Sequence, residues 1–211
     1  MDKNTINLIY DNLSKLHTNA ECELNYTTPF ELLVAVILSA QCTDKRVNMV
    51  TKELFLKYNT PEDYARLTIE ELKPYIYSTG FYNNKAKNII KMANSLIDKY
   101  QGKLPEDVEE LITLEGVGRK TASVLRAVAF NKPAMPVDTH VYRVSRRLGL
   151  SKSNNVDGVE KDLKKAFDES SWSKAHHLLL FHGRYICVSR NPKCNMCNLV
   201  NVCKYFKTKK D

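Results

Sequence analysis

The sequence predicts an all-α protein, and three observations support this fold class. Short segments with helical spacing of apolar residues cover most of the chain, and many of them begin with a capping residue. No alternating, strand-like segment longer than about four residues stands out. The turns between the helical segments are short. At 211 residues and 43% hydrophobic content, the chain can bury a core in one large domain or two small ones.

Composition narrows the possible partners and compartments. Lys and Arg outnumber Asp and Glu by 32 to 24, a net charge of +8 that favours a polyanionic partner without establishing one. The longest apolar run, 32–38, is too short to cross a bilayer, and the N-terminus runs straight into an amphipathic pattern. We therefore expect no membrane association and a cytosolic or nuclear location. There, the six cysteines favour metal ligands or free thiols over disulfides.

Capping residues mark the helix starts in the first half of the chain. After an N-terminal amphipathic helix over 6–16, Thr28 is followed by proline and then by glutamate three residues after the cap. The helix that it opens, through residue 40, is apolar nearly all round, which predicts a central buried helix. Three more helices are predicted to start at Thr43, Thr60 and Thr68.

Glycines mark several helix ends further along. A long amphipathic helix is predicted from Asn83 to a stop at Gly102. After a proline-rich linker, a helix begins at Asp138 and stops at Gly149. The last two helices are predicted over 159–167 and 176–186.

The stretch 111–130 predicts a helix end, a tight hairpin and a new helix, with the first helix opened at 104–107. Gly116 and Gly118 flank Val117, and apolar residues at helical spacing follow them. We expect the amides from Val117 to Lys120, including that of Arg119, to lie at a helix N-terminus that favours an anion. No strand precedes the turn and the glycine spacing is not that of a Walker A loop, which argues against an ATP site. A DNA phosphate suits this basic chain better.

Lys120 and Asp138 are the residues with catalytic potential. An ammonium at Lys120 faces the positive end of a helix dipole, which disfavours its charged form as a nucleophilic lysine requires. A plain phosphate-binding lysine fits the position equally well. Asp138 fits a helix N-cap, and a carboxylate held there could also stabilise a cation developing on a sugar.

Four cysteines near the C-terminus form a C-x6-C-x2-C-x5-C pattern at Cys187, Cys194, Cys197 and Cys203. Thiolates this close in sequence suit a tetrahedral cage for zinc or for a [4Fe–4S] cluster, and the spacing leaves both open. The loop inside the pattern carries Arg190 and Lys193, which could form a phosphate-binding ledge. Cys22 and Cys42 lie far away and share no spacing with the four.

Four motifs in this order closely resemble the endonuclease III family, bifunctional DNA glycosylases of the helix-hairpin-helix superfamily. They are Leu-Ser-Ala-Gln-Cys-Thr-Asp (38–44), Leu-Glu-Gly-Val-Gly-Arg-Lys-Thr-Ala (114–122), Val-Asp-Thr-His-Val-Tyr-Arg-Val (137–144) and the cysteine pattern. The resemblance covers essentially the whole chain. Glu115 departs from the proline usual in the family's hairpin, and Phe81 stands where leucine is usual.

The resemblance implies two helical domains with a DNA-binding cleft between them. One would be continuous over 22–132 and contain the helix-hairpin-helix at about 105–130; the other would combine 1–21 with 133–211 and hold a [4Fe–4S] cluster over 187–203. It further implies Lys120 as nucleophile and Asp138 as catalytic carboxylate, with the backbone amides from Gly116 through Gly118 to Lys120 gripping a DNA phosphate. The resemblance implies that Gln41 and Phe81 insert into the DNA and that Asp44 and His140 line the pocket for the extruded base. It implies four ligands for the cluster: Cys187, Cys194, Cys197 and Cys203.

The function implied is base excision repair of oxidised or otherwise damaged pyrimidines, with AP lyase cleavage through a lysine Schiff base. The partner would be double-stranded DNA carrying such lesions or abasic sites, bound by a monomer. The location would be cytoplasmic, at the nucleoid if the source is bacterial. Three alternatives stay open: a monofunctional glycosylase, a non-catalytic helix-hairpin-helix DNA binder, and a zinc-containing regulator.

Overall fold

The computed structural model describes residues 1–208 as helices joined by turns, and that part of the chain contains no strand. The all-α prediction is confirmed. No helix in the described range is long and apolar enough to cross a membrane. The chain divides into two compact units, one of residues 23–131 and one that joins residues 1–22 to the chain from residue 132 onward. These limits lie within one residue of the predicted 22–132.

The continuous unit contains the helices α2 to α8. A buried helix lies among them: α2 has Leu32, Leu33, Val34 and Ala35 fully buried, as its all-round apolar sequence predicts. The helices are α2 (Pro29–Ser39), α3 (Asp44–Lys57), α4 (Pro61–Ala65), α5 (Ile69–Ile76), α6 (Tyr82–Tyr100), α7 (Val108–Leu111) and α8 (Arg119–Val128).

Threonine side chains begin the first four of these helices. The hydroxyls of Thr28, Thr43, Thr60 and Thr68 each accept a hydrogen bond from a backbone N–H in the first turn. At Thr60 and Thr68 the carboxylate of the acidic residue three positions later accepts a hydrogen bond from the backbone N–H of the capping threonine, which completes a capping box. All four predicted starts are confirmed.

The start of α6 differs from the prediction. The helix begins at Tyr82, not at Asn83, because Phe81 occupies the N-cap position in the left-handed conformation with φ of 49°. No side chain caps this end. At the other end, Gln101 and Gly102 both have positive φ, and their amides donate to the carbonyls of the last turn.

The second unit contains α1 (Lys3–Leu16), α9 (Thr139–Leu148), α10 (Val156–Ala166), α11 (Trp172–Tyr185) and α12 (Lys204–Thr208). Its core is formed by apolar residues of α1, α9, α10 and α11, including Ile9, Val144, Leu163 and Leu178, all fully buried. Gly149 ends α9 in the left-handed conformation with φ of 88°, as predicted.

Two helices of this unit start earlier than predicted. Helix α10 begins at Val156 because the side chain of Asn155 accepts from the amide of Gly158 at 2.8 Å and caps it. Helix α11 begins at Trp172, directly after a short 3-10 segment at Glu169–Ser171. In both helices the regular spacing of apolar residues begins only after the first residues, so the sequence pattern predicts each start too late.

Candidate nucleic-acid interface and cysteine cavity

The hairpin between α7 and α8 is built on a short chain of backbone hydrogen bonds. Asp107 caps α7, with its carboxylate accepting from the amides of Glu109 and Glu110. The buried Leu111 and Leu114 anchor the turn, and the amide of Leu114 donates to the carbonyl of Leu111 at 3.1 Å. The amide of Val117 then donates to the carbonyl of Leu114, also at 3.1 Å.

The two hairpin glycines serve different purposes. Gly116 has φ of +79°, and a Cβ there would lie 3.1 Å from the Cβ of Asn88. Gly118 has φ of −89° and ψ of 172°, and a Cβ on it would meet nothing within 4 Å. The conformation of the turn therefore requires Gly116, whereas Gly118 leaves the exposed backbone open to an approaching group.

The amide of Val117 is not available for a ligand, contrary to the expectation that the open set begins there. Its N–H is bonded to Leu114 and its side chain is only 5% exposed. The first hydrogen bond of α8 runs from the amide of Ala122 to the carbonyl of Gly118 at 3.0 Å, so the amides of Arg119 and Lys120 precede the helical ladder. No side chain caps this helix. The anion-binding set thus begins after Val117.

Lys120 is exposed in the first turn of α8. Within the described residues, no hydrogen bond or ion pair engages its ammonium. The neighbouring Arg119 forms an ion pair with Glu109 at 3.4 Å, but both side chains are well exposed, so this contact contributes little to stability. Two cations at the open N-terminus of a helix form a surface suited to an anion.

Glu115 is turned away from this surface. Its carboxylate accepts a hydrogen bond from the hydroxyl of Ser95 on α6 at 2.9 Å, and the side chain is half-buried. The acidic residue is therefore held by the protein itself.

Asp138 caps α9, as predicted. One carboxylate oxygen, Oδ1, accepts from the amides of His140 at 2.9 Å and Val141 at 2.8 Å. Within residues 1–208 no hydrogen bond reaches Oδ2. The cap fixes the carboxylate and leaves one oxygen for another partner.

His140 and Arg143 follow on α9 as a linked pair. Nη2 of Arg143 lies 3.3 Å from Nδ1 of His140 and donates to the carbonyl of Gly183 at 2.8 Å. A Cβ on Gly183 would lie 2.8 Å from the Cβ of His140, so the glycine allows α9 and α11 to approach closely. Nothing in the sequence pattern indicated that Arg143 would tie the two helices together.

Gln41 and Phe81 are exposed and share an unusual backbone conformation. Their φ angles are 54° and 49°, in the left-handed region that non-glycine residues rarely adopt. Phe81 is 62% exposed, and the rings of Tyr77 and Tyr82 contact each other at a centroid distance of 4.7 Å across the turn that carries it. Asp44, the pocket candidate, is the first residue of α3 and half-buried.

The four C-terminal cysteines, which share a half-buried position, line one cavity. They are Cys187, Cys194, Cys197 and Cys203. No group of three or more His, Cys, Asp or Glu side chains in the described chain converges closely enough to hold a metal ion. The four thiols lie around one cavity, and thiolates in such a set can bind zinc or an iron–sulfur cluster.

Arg147 binds the chain that begins at Cys187. Its guanidinium donates to the carbonyls of Val188 at 2.7 Å and Ser189 at 2.9 Å, and Nη1 lies 3.4 Å from Sγ of Cys187. Burial raises the pKa of the Cys197 and Cys203 thiols. Thiolates in this cavity therefore need positive charge nearby, which a bound cluster and Arg147 would both supply.

The loop that the cysteines enclose presents its cations to solvent. Arg190 and Lys193 are both exposed, and the amide of Lys193 donates to the carbonyl of Ile186 at 3.0 Å. This bond closes the loop on the end of α11. Arg147 is a residue that sequence reasoning missed, since its partners lie forty residues and more away in the chain.

Comparison with known proteins places this geometry in a family. Residues 34–169 match the HhH-GPD superfamily base excision DNA repair proteins. The chain is 50% identical to endonuclease III of Bacillus subtilis (strain 168) over 94% of this chain and 91% of that protein. It is 45% identical to endonuclease III of Escherichia coli (strain K12) over 87% of each. A solved structure of a trapped endonuclease III–DNA covalent intermediate, an estranged-adenine complex, superposes with a TM-score of 0.95 at 49% identity over the whole of both chains.

The chain therefore belongs to the HhH-GPD superfamily of base excision DNA repair proteins. Within that superfamily it belongs to the endonuclease III family, and it is a DNA glycosylase. The resemblance drawn from the sequence motifs is confirmed.

The hairpin predicts that its two glycines differ in their effect on stability. Gly116→Ala should lower the free energy of unfolding by about 1–3 kcal/mol, because alanine is strained at positive φ and crowds Asn88. Gly118→Ala, the matched control, should change it by less than about 1 kcal/mol, since its backbone is extended and its surroundings are open. Urea unfolding of both variants measures the difference, and equal losses would contradict the assignment.

Proposed function

We propose that the protein extrudes oxidised or otherwise damaged pyrimidines from double-stranded DNA, removes them and cuts the strand at the resulting abasic site. The observation that carries the proposal is Lys120, an exposed lysine at the uncapped start of α8 that has no partner among residues 1–208. A lysine in this position can bind a phosphate or act as a nucleophile, and the family relative trapped in a covalent intermediate with DNA favours the second role.

DNA binding would begin at the hairpin. The amides of Gly118, Arg119 and Lys120 would grip a backbone phosphate, with the helix dipole adding favourable charge. The exposed Arg190 and Lys193 beside the cysteine cavity would hold a second stretch of backbone. These contacts position the duplex and carry no sequence information, which suits a repair enzyme that must search all DNA.

Lesion recognition would follow from base extrusion. A base cannot be reached inside the stack, and damaged or poorly stacked bases cost less to flip out. Gln41 and Phe81 would fill the space that the extruded nucleotide leaves, and Asp44 and His140 are the candidates to line its pocket. Preference for damaged pyrimidines comes to this chain from its family and not from the residues described.

The chemistry would use Lys120 and Asp138 in distinct roles. The neutral amine of Lys120 attacks the sugar carbon that bears the base, a C–N bond forms, and the bond to the base breaks as the base leaves with a proton. Asp138, fixed by its cap bonds through Oδ1, stabilises the positive charge on the sugar and assists proton transfer through Oδ2. The sugar ring then opens as the C1′–O4′ bond breaks and O4′ takes up a proton, which leaves a Schiff base between Lys120 and C1′. The Schiff base loses a proton from C2′, and the bond between C3′ and its phosphate breaks, which cuts the strand.

The four cysteines would hold a [4Fe–4S] cluster. Their arrangement around a cavity, with a guanidinium N–H directed at one sulfur, fits such a group. When bound, the cluster would act as a structural crosslink for the 187–203 loop. Arg147 itself would orient the loop that carries Arg190 and Lys193 by holding two of its carbonyls. We further propose a monomer in the cytoplasm, at the nucleoid if the source is bacterial, as the organisms of its relatives are.

Borohydride trapping tests the nucleophile. Wild-type protein mixed with a lesion-containing duplex and borohydride should give a covalent protein–DNA complex on a denaturing gel, and Lys120→Gln should give none. Arg119→Gln removes the same charge from the same turn and should still trap. A wild type that binds lesion DNA without trapping would indicate a monofunctional glycosylase or a plain DNA binder.

Asp138→Asn separates capping from catalysis. Asparagine caps a helix about as well as aspartate, so stability should stay within about 1 kcal/mol of the wild type. Base release in a single turnover should slow by about 10²–10⁴-fold, because the charged oxygen is lost.

Asp2→Asn provides the control for that variant. Asp2 caps α1 in the same unit and accepts the amide of Thr5 at 2.9 Å, so the same substitution should leave the rate unchanged. An Asp138→Asn variant with the wild-type rate of base release would refute the catalytic role.

Metal analysis tests the cysteine cavity. The protein as purified should be yellow-brown and contain iron and acid-labile sulfide, and Cys194→Ser should lose both. Cys22→Ser and Cys42→Ser, which change half-buried cysteines outside the cavity, should keep them. A colourless wild type containing zinc would support the zinc alternative instead.

A further inference from the structure

Lys85 is a buried lysine whose ammonium forms no ion pair with a carboxylate of the described residues. It lies in the first turn of α6, and only 4% of the residue is exposed. Its ammonium donates to two backbone carbonyls, those of Leu38 and Thr79, each at 2.8 Å. Burying an ammonium is costly unless it is hydrogen-bonded, so a lysine kept here on two carbonyls indicates a specific task. Burial lowers the pKa of Lys85, and the nearby Cys42 opposes this effect.

The two carbonyls belong to segments that are distant in sequence and carry similar tips. Leu38 lies in the last turn of α2, three residues before Gln41. The amide of Cys42, which follows Gln41, donates to the carbonyl of Ser39 and not to that of Leu38. Thr79 ends the short 3-10 segment Tyr77–Thr79, two residues before Phe81. One ammonium therefore joins the segment leading into Gln41 to the segment leading into Phe81.

Both tips are strained and exposed. Gln41 and Phe81 have positive φ angles of 54° and 49° and both are exposed at the surface. A non-glycine residue stays in this conformation only where its surroundings determine it, and such strain concentrates at functional sites. Neither side chain is buried in a core that could hold it. Local backbone hydrogen bonds hold each turn separately, and the two carbonyls that Lys85 binds join one turn to the other.

We propose that Lys85 is a positioning residue that clamps the two turns together, so that Gln41 and Phe81 enter the DNA as a rigid pair. The inference rests on the proposed insertion of these two residues into the duplex. A pair held at fixed spacing loses little conformational freedom on entering the base stack, so more of its contact energy is left to drive base extrusion. Without the clamp each tip would have to be ordered by the DNA itself.

The test compares binding to undamaged duplex with binding to a duplex that contains a tetrahydrofuran abasic analogue. Lys85→Met keeps the length of the side chain and removes its donors. It should leave affinity for undamaged duplex nearly unchanged and reduce the preference for the tetrahydrofuran duplex by about tenfold, the size that couplings between contacting groups reach. The fluorescence rise of 2-aminopurine opposite the analogue, which reports unstacking, should fall with it.

Two further variants keep the test decisive. If Lys85→Met does not fold, Lys85→Gln replaces it, because a neutral amide avoids the buried charge and can satisfy only part of the clamp. Met92→Ala removes a fully buried side chain from the same helix without touching either turn. It should lower the melting temperature while leaving the preference and the 2-aminopurine signal unchanged.

A double-mutant cycle separates failure of this inference from failure of the proposed function. If Gln41→Ala/Phe81→Ala already abolishes the preference, Lys85→Met should have no further effect in that background. If Gln41→Ala/Phe81→Ala has no effect in the wild type, the insertion roles are wrong. If that double variant loses the preference but folded Lys85→Met or Lys85→Gln keeps it, the clamp alone is overturned. The clamp is also overturned if Lys85→Met lowers the preference equally in the wild type and in the double variant.

Discussion

The first amides of a helix have no hydrogen-bond partner inside the helix. In this chain, the proposed function uses two helix starts that no side chain caps. Side chains cap all of α1 to α5, and also α7, α9 and α10. Gly118 and Phe81 occupy the N-cap positions of α8 and α6, and neither helix has a side-chain cap among the described residues. The first open end faces a proposed phosphate and the second carries a proposed wedge. Helix α11 also lacks a cap, but a 3-10 segment leads straight into it.

A cap can also be part of a reaction, as Asp138 illustrates. Its two amide bonds fix the carboxylate, and both use the same oxygen. Removing the carboxylate would therefore weaken a helix and a catalytic group together, whereas asparagine retains the first role. Arg147 also has two roles, because its single guanidinium binds carbonyls of the cysteine loop and approaches the sulfur of Cys187.

The sequence predicts those parts of the fold whose cause is local. Thr28, Thr60 and Asp138 mark helix starts because the capping bond joins residues two or three apart, and the all-round apolar pattern of α2 reports burial directly. The sequence predicts the start of α6 one residue late, because no neighbouring residue indicates the left-handed conformation of Phe81. Arg147 could not be found at all, since its partners are set by how α9 packs in its unit. Lys85 left a faint signal: it lies four residues before Ile89, on the apolar face of α6.

The departures of this chain from the family's motifs are accommodated by contacts on the same unit. At Glu115, a residue without proline's fixed φ, the turn is retained by the positive φ of Gly116 and the bond from the amide of Val117 to Leu114. Ser95 holds the carboxylate, so the added charge is directed into a hydrogen bond and not toward the open helix end. The larger ring at Phe81 sits on a turn flanked by the paired Tyr77 and Tyr82. The carbonyl of Thr79, two residues before it, is linked through Lys85 to that of Leu38, three residues before Gln41. As the proposed wedge, a ring bulkier than leucine would displace more of the base stack, so its spacing from Gln41 would matter more.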